Sequence, residues 1–173
     1  MFKQCDLTWA NEQFGPLDGP QATICDEGDL LTTIAMVLNG RDFRVDGQVV
    51  TPSTLNKFIR KVDGYIKKPD GSGYFIDFKV MQKFGFVSDG VARTDVGIRK
   101  AFRNGEHVLL QMDSDPSPRW ALLTGLTSQS YQVNDPYPNS SSMINPRVVN
   151  FGQIFLHPKC RGYHWSQVGS IVE

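Results

Sequence analysis

Apolar residues recur at intervals of three and four between Thr23 and Gly40, and this spacing predicts an amphipathic helix. The recurring positions are Leu30, Leu31, Ile34, Val37 and Leu38. Gly28 permits a tight approach, and Asp29 stands at the position of an N-cap or a first-turn residue. Asn39 and Gly40 are predicted to end the helix because both tolerate a left-handed backbone. The free N–H groups and the dipole at such a helix start favour an anion at Asp29.

The segment from Arg41 to Asp63-Gly64 predicts a hairpin followed by a second helix. Apolar residues flank an Asp46-Gly47 turn, which is typical of a two-residue hairpin. Thr51 is predicted as the N-cap and Pro52 as the first helical residue. The predicted buried face of this helix consists of Leu55, Phe58, Ile59 and Val62. Before the first helix, residues 1–22 lack periodicity and predict an arm that packs through Trp9 and Phe14.

The pattern changes in the second half of the chain. Residues 67–73 predict a turn, 77–84 a short helix, and Thr94-Asp95 the start of another helix that stops at Asn104-Gly105. The buried face of that helix is predicted to consist of Val96, Ile98, Ala101 and Phe102. Strands are predicted at His107–Met112, Trp120–Leu126, Tyr131–Asn134 and Val148–Leu156. Helices followed by antiparallel strands predict an α+β fold.

Composition excludes some classes of function. The 173 residues carry 18 basic and 18 acidic side chains, so nothing indicates a nucleic-acid-binding surface. The sequence shows no signal peptide and no apolar run near the about 20 residues that a membrane helix needs. The length suits one domain over residues 1–173, with 158–173 as an extension. Three cysteines, an odd number, argue against a disulfide framework and favour a reducing compartment.

Short blocks of sequence follow one another in a recognisable order along residues 1–157. They are QCDLTWA (4–10), TICDEGD (23–29) with its helix, VTPSTLN (50–56), RWALLTG (119–125) and YQVNDP (131–136). Together they resemble the papain-like cysteine peptidases typified by the double-glycine leader, or bacteriocin-processing, peptidases. The resemblance implies a papain-like fold in which a helical half packs on an antiparallel sheet.

The same resemblance implies a site in which the two chemical residues are replaced. It places the family's nucleophilic cysteine on Asp29 and its catalytic histidine on Arg119, whereas Asp135 keeps the position that orients the histidine. It gives Gln4 the role of the oxyanion-hole glutamine; the alternative is that Gln4 is a solvated polar residue. A carboxylate is a weak nucleophile toward an amide, and arginine stays protonated near neutral pH, so ordinary peptidase activity is not expected.

The replaced pair keeps the charge pattern of a thiolate and an imidazolium. We therefore expect Asp29 and Arg119 to form an ion pair in a site that has lost its chemistry. The alternative is that Asp29 is only a helix cap and Arg119 only a solvated strand end.

Other candidate residues have simpler interpretations. Cys25 could be a displaced nucleophile, but it is more simply a small loop or core residue. His107 is expected to be a packed strand histidine. His157, Cys160 and His164 fit no standard zinc spacing. The acidic residues 26, 27 and 29 could hold a cation, but they suit a solvated helix start.

These observations predict an inactive peptidase homologue that acts as a protein-binding, peptide-binding or structural module. It could be a component of a larger assembly, such as a virus particle or a secretion system. We expect no cofactor, no metal and no nucleic-acid partner, and a location in the cytoplasm or in a particle. The alternative is an active hydrolase that uses Cys25, or a carboxylate-based one that uses Asp29.

Overall fold

The computed structural model describes residues 1–113 and 118–156. The suggested extension at 158–173, which includes Cys160 and His164, lies outside the described residues, and so does His157. The chain divides into two compact units. Unit 1 consists of Met1–Phe84 and Pro136–Pro138, and unit 2 of Gly85–Asp135 and the residues from Asn139 onward.

Unit 1 is built from short helices and two-stranded hairpins. Its helices are α1 (Ile24–Glu27), α2 (Asp29–Asn39), α3 (Pro52–Lys61) and a 3₁₀ helix (Phe78–Phe84). Its hairpins pair β1 (Arg44–Val45) with β2 (Gln48–Val49), and β3 (Tyr65–Lys67) with β4 (Tyr74–Ile76). The hairpin of β1 and β2 confirms the predicted turn, since Asp46 and Gly47 both adopt positive φ angles of 48° and 78°. The β3–β4 hairpin was not predicted.

Side-chain caps define where the helices of unit 1 begin. The predicted N-cap Thr51 accepts a hydrogen bond from the Thr54 N–H, and Pro52 opens α3. Thr23 caps α1 through a capping box with Asp26. The spacing of apolar residues did not predict this short helix. Helix α2 begins at Asp29, directly after Gly28. A Cβ on Gly28 would collide with the backbone oxygen of Ile24, so glycine lets α2 follow α1 without a gap.

Helix α2 is confirmed, but the expected reason for its end is wrong. Gly40 has a φ of −65°, in the right-handed region, and the positive φ of 55° occurs at Asp42. The Asn39 amide instead donates to the Val50 carbonyl at 3.0 Å. Residues 31–38 of α2 are all buried, although Leu30 at its start is only partly so.

Backbone hydrogen bonds hold the N-terminal arm against the chain around α1. The Ile24 N–H donates to Glu12, the Cys25 N–H to Ala10 and the Phe14 N–H to the Ala22 carbonyl. Trp9 and Phe14 are buried, as predicted. The arm is therefore a structural part of unit 1.

Unit 2 contains an antiparallel sheet with strand order β5-β10-β6-β7-β8-β9. The strands are β5 (Val87–Ala92), β6 (His107–Met112), β7 (Arg119–Leu126), β8 (Tyr131–Asn134), β9 (Met143–Ile144) and β10 (Val149–Leu156), with a 3₁₀ turn at Pro146–Val148. Strands β6, β7, β8 and β10 confirm the predicted ones to within a residue. The two edge strands, β5 and β9, were not predicted.

Helix α4 (Asp95–Arg103) covers one face of this sheet. It starts after the predicted N-cap Thr94. The core between them contains Ile98, Ala101, Phe102, Val108, Leu110, Met112, Ala121, Leu123, Tyr131, Val133 and Ile154. Val96 does not belong to it: its side chain is 76% exposed, so its assignment to the buried face is wrong.

Mixed helices and antiparallel sheets confirm the α+β class. Within the described residues, no helix has the length and apolar character required to span a membrane.

Candidate functional site

Asp29 occupies the N-terminal end of helix α2, as predicted. It is the first helical residue and is partly buried. Its Oδ1 accepts a hydrogen bond from the Leu30 N–H at 2.7 Å. The carboxylate therefore binds a free backbone donor at the positive end of the helix dipole, where an anion is stabilised.

Gln4 is buried, with 2% of its surface exposed, so the alternative of a solvated residue is wrong. Its Nε2 donates to the Cys25 carbonyl at 2.7 Å, and its backbone N–H donates to the Pro136 carbonyl at 3.0 Å. Its Oε1 is buried and makes no hydrogen bond with the described residues. Gln4 thus connects the N-terminal arm to Cys25 in α1 through a hydrogen bond.

Cys25 is joined to Cys5 by a disulfide. The expectation that an odd cysteine count argues against disulfide bonding is therefore wrong for this pair. Cys25 Sγ can act as a nucleophile only as a thiolate, and the bond to Cys5 removes that form. No local pattern indicates this pairing, because Cys5 and Cys25 approach each other only when the arm packs on α1.

Arg119 and Asp135 form an ion pair in unit 2. Arg119 Nη2 lies 3.3 Å from Asp135 Oδ2. The Asp135 side chain is 1% exposed and that of Arg119 is 28% exposed. Arg119 is the first residue of β7, and Asp135 directly follows β8. Because β7 and β8 are antiparallel neighbours, the start of one meets the end of the other.

The ion pair expected between Asp29 and Arg119 stays a prediction. Asp29 belongs to unit 1 and Arg119 to unit 2, and the ion-pair partner found for Arg119 is Asp135. The alternative of a solvated strand end does not describe Arg119, because it starts β7 beside a buried carboxylate.

The acidic residues before α2 each turn to a different partner. Asp26 Oδ2 accepts from the N–H and the hydroxyl of Thr23, and mainly the first of these lowers the pKa of Asp26. Glu27 Oε2 lies 3.0 Å from Lys68 Nζ. No group of three or more potential metal ligands occurs among the described residues.

His107 is buried in β6, and its ring centroid lies 5.5 Å from that of Phe86. This packing agrees with the prediction of a strand histidine.

A polar cluster in unit 1 supports the arm and was not predicted from the sequence. Fully buried Asn56 donates to the Gln13 carbonyl at 2.8 Å and accepts from the Tyr65 hydroxyl at 2.6 Å. The Arg60 guanidinium donates to the Gly15 and Gln13 carbonyls. Burial raises the pKa of Tyr65, so its hydroxyl remains a donor. The position of Asn56, directly after Leu55 on the apolar face of α3, could have indicated a buried polar side chain.

Comparisons of the chain with protein-family models, with curated proteins and with solved structures find no match. The site residues must therefore be judged by their chemistry. A guanidinium paired with a buried carboxylate can bind and orient, but it cannot exchange protons near neutral pH.

Proposed function

We propose that the protein is a catalytically inactive homologue of the papain-like cysteine peptidases that binds an extended peptide or a partner protein. The observation that carries the proposal is the pairing of Arg119 with Asp135. The motif resemblance assigns these positions to the catalytic histidine and its orienting carboxylate. They are 16 residues apart in sequence, from 119 to 135, yet they meet as an ion pair.

The chemistry of these residues supports binding without turnover. A cysteine peptidase needs a thiolate and a group that exchanges a proton with it. Asp29 supplies a carboxylate that is already bonded to the Leu30 N–H. Arg119 supplies a permanent cation. Loss of either catalytic residue of a triad costs several orders of magnitude in rate.

A retained peptide-binding role suits a peptidase frame that has lost its nucleophile. We propose an extended peptide as the ligand, since the resembled family acts on leader peptides. The same module could serve as a component of a virus particle or a secretion system.

The alternative of a hydrolase that uses Cys25 is disfavoured by its disulfide with Cys5. The Cys25 carbonyl also accepts a hydrogen bond from the Gln4 side-chain amide, so both the side chain and the backbone of Cys25 hold the N-terminal arm.

Fluorescence anisotropy with a labelled leader-type peptide that carries a Gly-Gly site tests the proposal. We expect saturable binding, recovery of the intact peptide by mass spectrometry, and binding about tenfold weaker for Asp29→Lys. Asp89→Lys, at an exposed position in β5, is the matched control. A cleaved peptide would contradict the loss of chemistry, and equal affinity for a scrambled peptide would contradict the binding role.

A further inference from the structure

An open pocket of about 730 Å³ lies in unit 2, at the end of β7 away from Arg119. The C-terminal half of α4 forms one wall, through Arg99, Phe102 and Arg103. The last residues of β7 and the loop after them form the opposite wall, with Gln132 of β8 beside them. The pocket is broad and largely open to solvent, so a ligand there would be only partly enclosed.

The charges around this pocket sum to one positive charge. Arg99 Nε bonds both carboxylate oxygens of Asp95, at 2.8 and 2.9 Å, and its Nη1 donates to the Thr127 carbonyl at 2.6 Å. Arg103, one turn further along α4, is exposed and forms no ion pair with any described residue. Two guanidinium groups and one carboxylate therefore leave one net positive charge, and the charge of Arg103 also helps to lower the pKa of Asp95.

Arg99 is held rigidly enough to act as a wall of the pocket. Only 12% of its side chain is exposed, and its guanidinium lies 5.3 Å above the Tyr131 ring. Tyr131 is fully buried, and its hydroxyl donates to the same Asp95 at 2.5 Å.

The remaining lining combines an apolar surface with polar groups. Phe102 and Leu126 supply apolar surface. The Gln132 side chain lies across Gly125, where a Cβ would collide with Gln132 Oε1. The side chains of Gln132 and Ser128 make no hydrogen bond with the described residues, so both can pair with a ligand.

We propose that this pocket binds a carboxylate carried on an apolar body. Arg103 would pair with the carboxylate, since a guanidinium matches its two oxygens in a fork. The single net positive charge of Arg99, Arg103 and Asp95 suits a monoanion better than a phosphate dianion. Phe102 and Leu126 would contact the apolar body. This ligand site is separate from the Arg119–Asp135 pair, because it lies at the other end of β7.

The test is a titration of the full-length, isotope-labelled chain with benzoate, followed by amide NMR. We expect saturable shifts at Gly125, Leu126 and Ser128, with a dissociation constant on the order of 1 mM. Acetate, which lacks the apolar body, and inorganic phosphate should bind more weakly.

Variants on the exposed face of α4 keep the test specific. Arg103→Ala should weaken benzoate binding about fivefold, as expected for one exposed charged contact. Arg103→Lys should give an intermediate loss. Lys100→Ala, an exposed cation that does not line the pocket, should leave the affinity unchanged. The proposal is overturned if benzoate shifts do not saturate, if phosphate binds more tightly than benzoate, or if the Arg103 and Lys100 variants behave alike.

Discussion

Asp29, Asp95 and Asp135 carry the same carboxylate into different surroundings, and those surroundings decide what each one does. Asp29 bonds a backbone N–H at a helix start. Asp135 is buried beside Arg119. Asp95 is partly exposed and bonds the hydroxyl of Tyr131 and the guanidinium of Arg99. Burial and partner, rather than residue type, therefore distinguish a cap, a buried ion pair and a surface network.

Arg119→His tests whether position 119 is a degenerate histidine position. A histidine there should be stabilised as a cation by the buried Asp135 carboxylate. We expect its pKa to lie above the ordinary value of about 6.5. Imidazole NMR signals followed against pH would measure it. In the Arg119→His, Asp135→Asn variant, the pKa should fall to the ordinary value or below. Equal pKa values in both variants would show that Asp135 does not orient this position.

Asp95 should make the stability of unit 2 depend on pH at the acid end. The hydrogen bond from Tyr131, followed by the bond from Arg99, lowers the pKa of Asp95 below its ordinary value of 3.8. The resulting stabilisation is complete above that value and is lost as the pH falls through the lowered pKa.

At pH 7, Asp95→Asn should lower the free energy of unfolding by no more than about 1 kcal/mol, because the site is partly exposed. The difference from the wild type should shrink as the pH falls below 3.8 through the lowered pKa of Asp95. Urea denaturation at several pH values measures it, with Asp89→Asn as the control. A difference that persists in acid would point to lost packing rather than lost charge.

The chemistry of a side chain could be predicted where it depends on that residue alone. It could be predicted less well where it depends on which partner the fold brings beside it. Arginine at position 119 excludes proton transfer from the sequence alone. Its partner could not be inferred in the same way, because the carboxylate that lies beside it is decided by the pairing of β7 with β8. The disulfide between Cys5 and Cys25 was not predicted for the same reason, because it depends on how the N-terminal arm packs on α1.

At the scale of elements, local signals predicted boundaries well. Thr51 and Pro52 mark the start of α3 because capping is decided within one turn. Strand β5 gave no signal because all its residues except Ala92 are exposed, so no alternation of burial marks it. Strand β9 is two residues long and cannot show a period.

Helix α4 offers a direct test of how far periodicity identifies a buried face. Val96 and Ile98 were both predicted as buried, yet Val96 is 76% exposed and Ile98 is 3% exposed. Ile98→Ala should cost about 2–4 kcal/mol of stability through lost burial and a cavity. Val96→Ala should change stability by less than about 0.5 kcal/mol. Urea denaturation of the two variants measures the contrast, and similar losses would contradict the observed orientation of α4.

The disulfide should stabilise unit 1 by holding the arm against α1. It joins cysteines 20 residues apart, and a closed loop of this length stabilises a fold by about 3 kcal/mol in the chain-entropy account. Cys5→Ser with Cys25→Ser should reduce the free energy of unfolding by about that amount. Added reductant should destabilise the wild type but leave the double variant unchanged. A wild type that does not respond to reductant, although its thiols become free, would show that the arm is held by its hydrogen bonds alone.

At the scale of the whole molecule, the sequence predicted the α+β class because the order of helices and strands is a local property repeated along the chain. The compartment was read from the number of cysteines, and that inference fails because an odd total still permits one pair. A disulfide persists in oxidising surroundings more readily than in a reducing cytosol. The pair therefore argues against the reducing compartment that the cysteine count suggested.

Because of the disulfide, peptidase activity must be considered separately under oxidising and under reducing conditions. Under oxidising conditions Cys25 is bonded and Asp29 and Arg119 lack the required chemistry, so no turnover of Gly-Gly peptides is expected. Reductant frees the Cys25 thiol, and this is the condition under which a displaced nucleophile would act. We expect no turnover there either, because a freed thiol has no histidine at position 119 to take its proton. Fluorogenic Gly-Gly peptides, assayed with and without reductant, measure both conditions. Cys25→Ala separates the interpretations: turnover that appears with reductant and disappears in this variant would establish a redox-activated hydrolase.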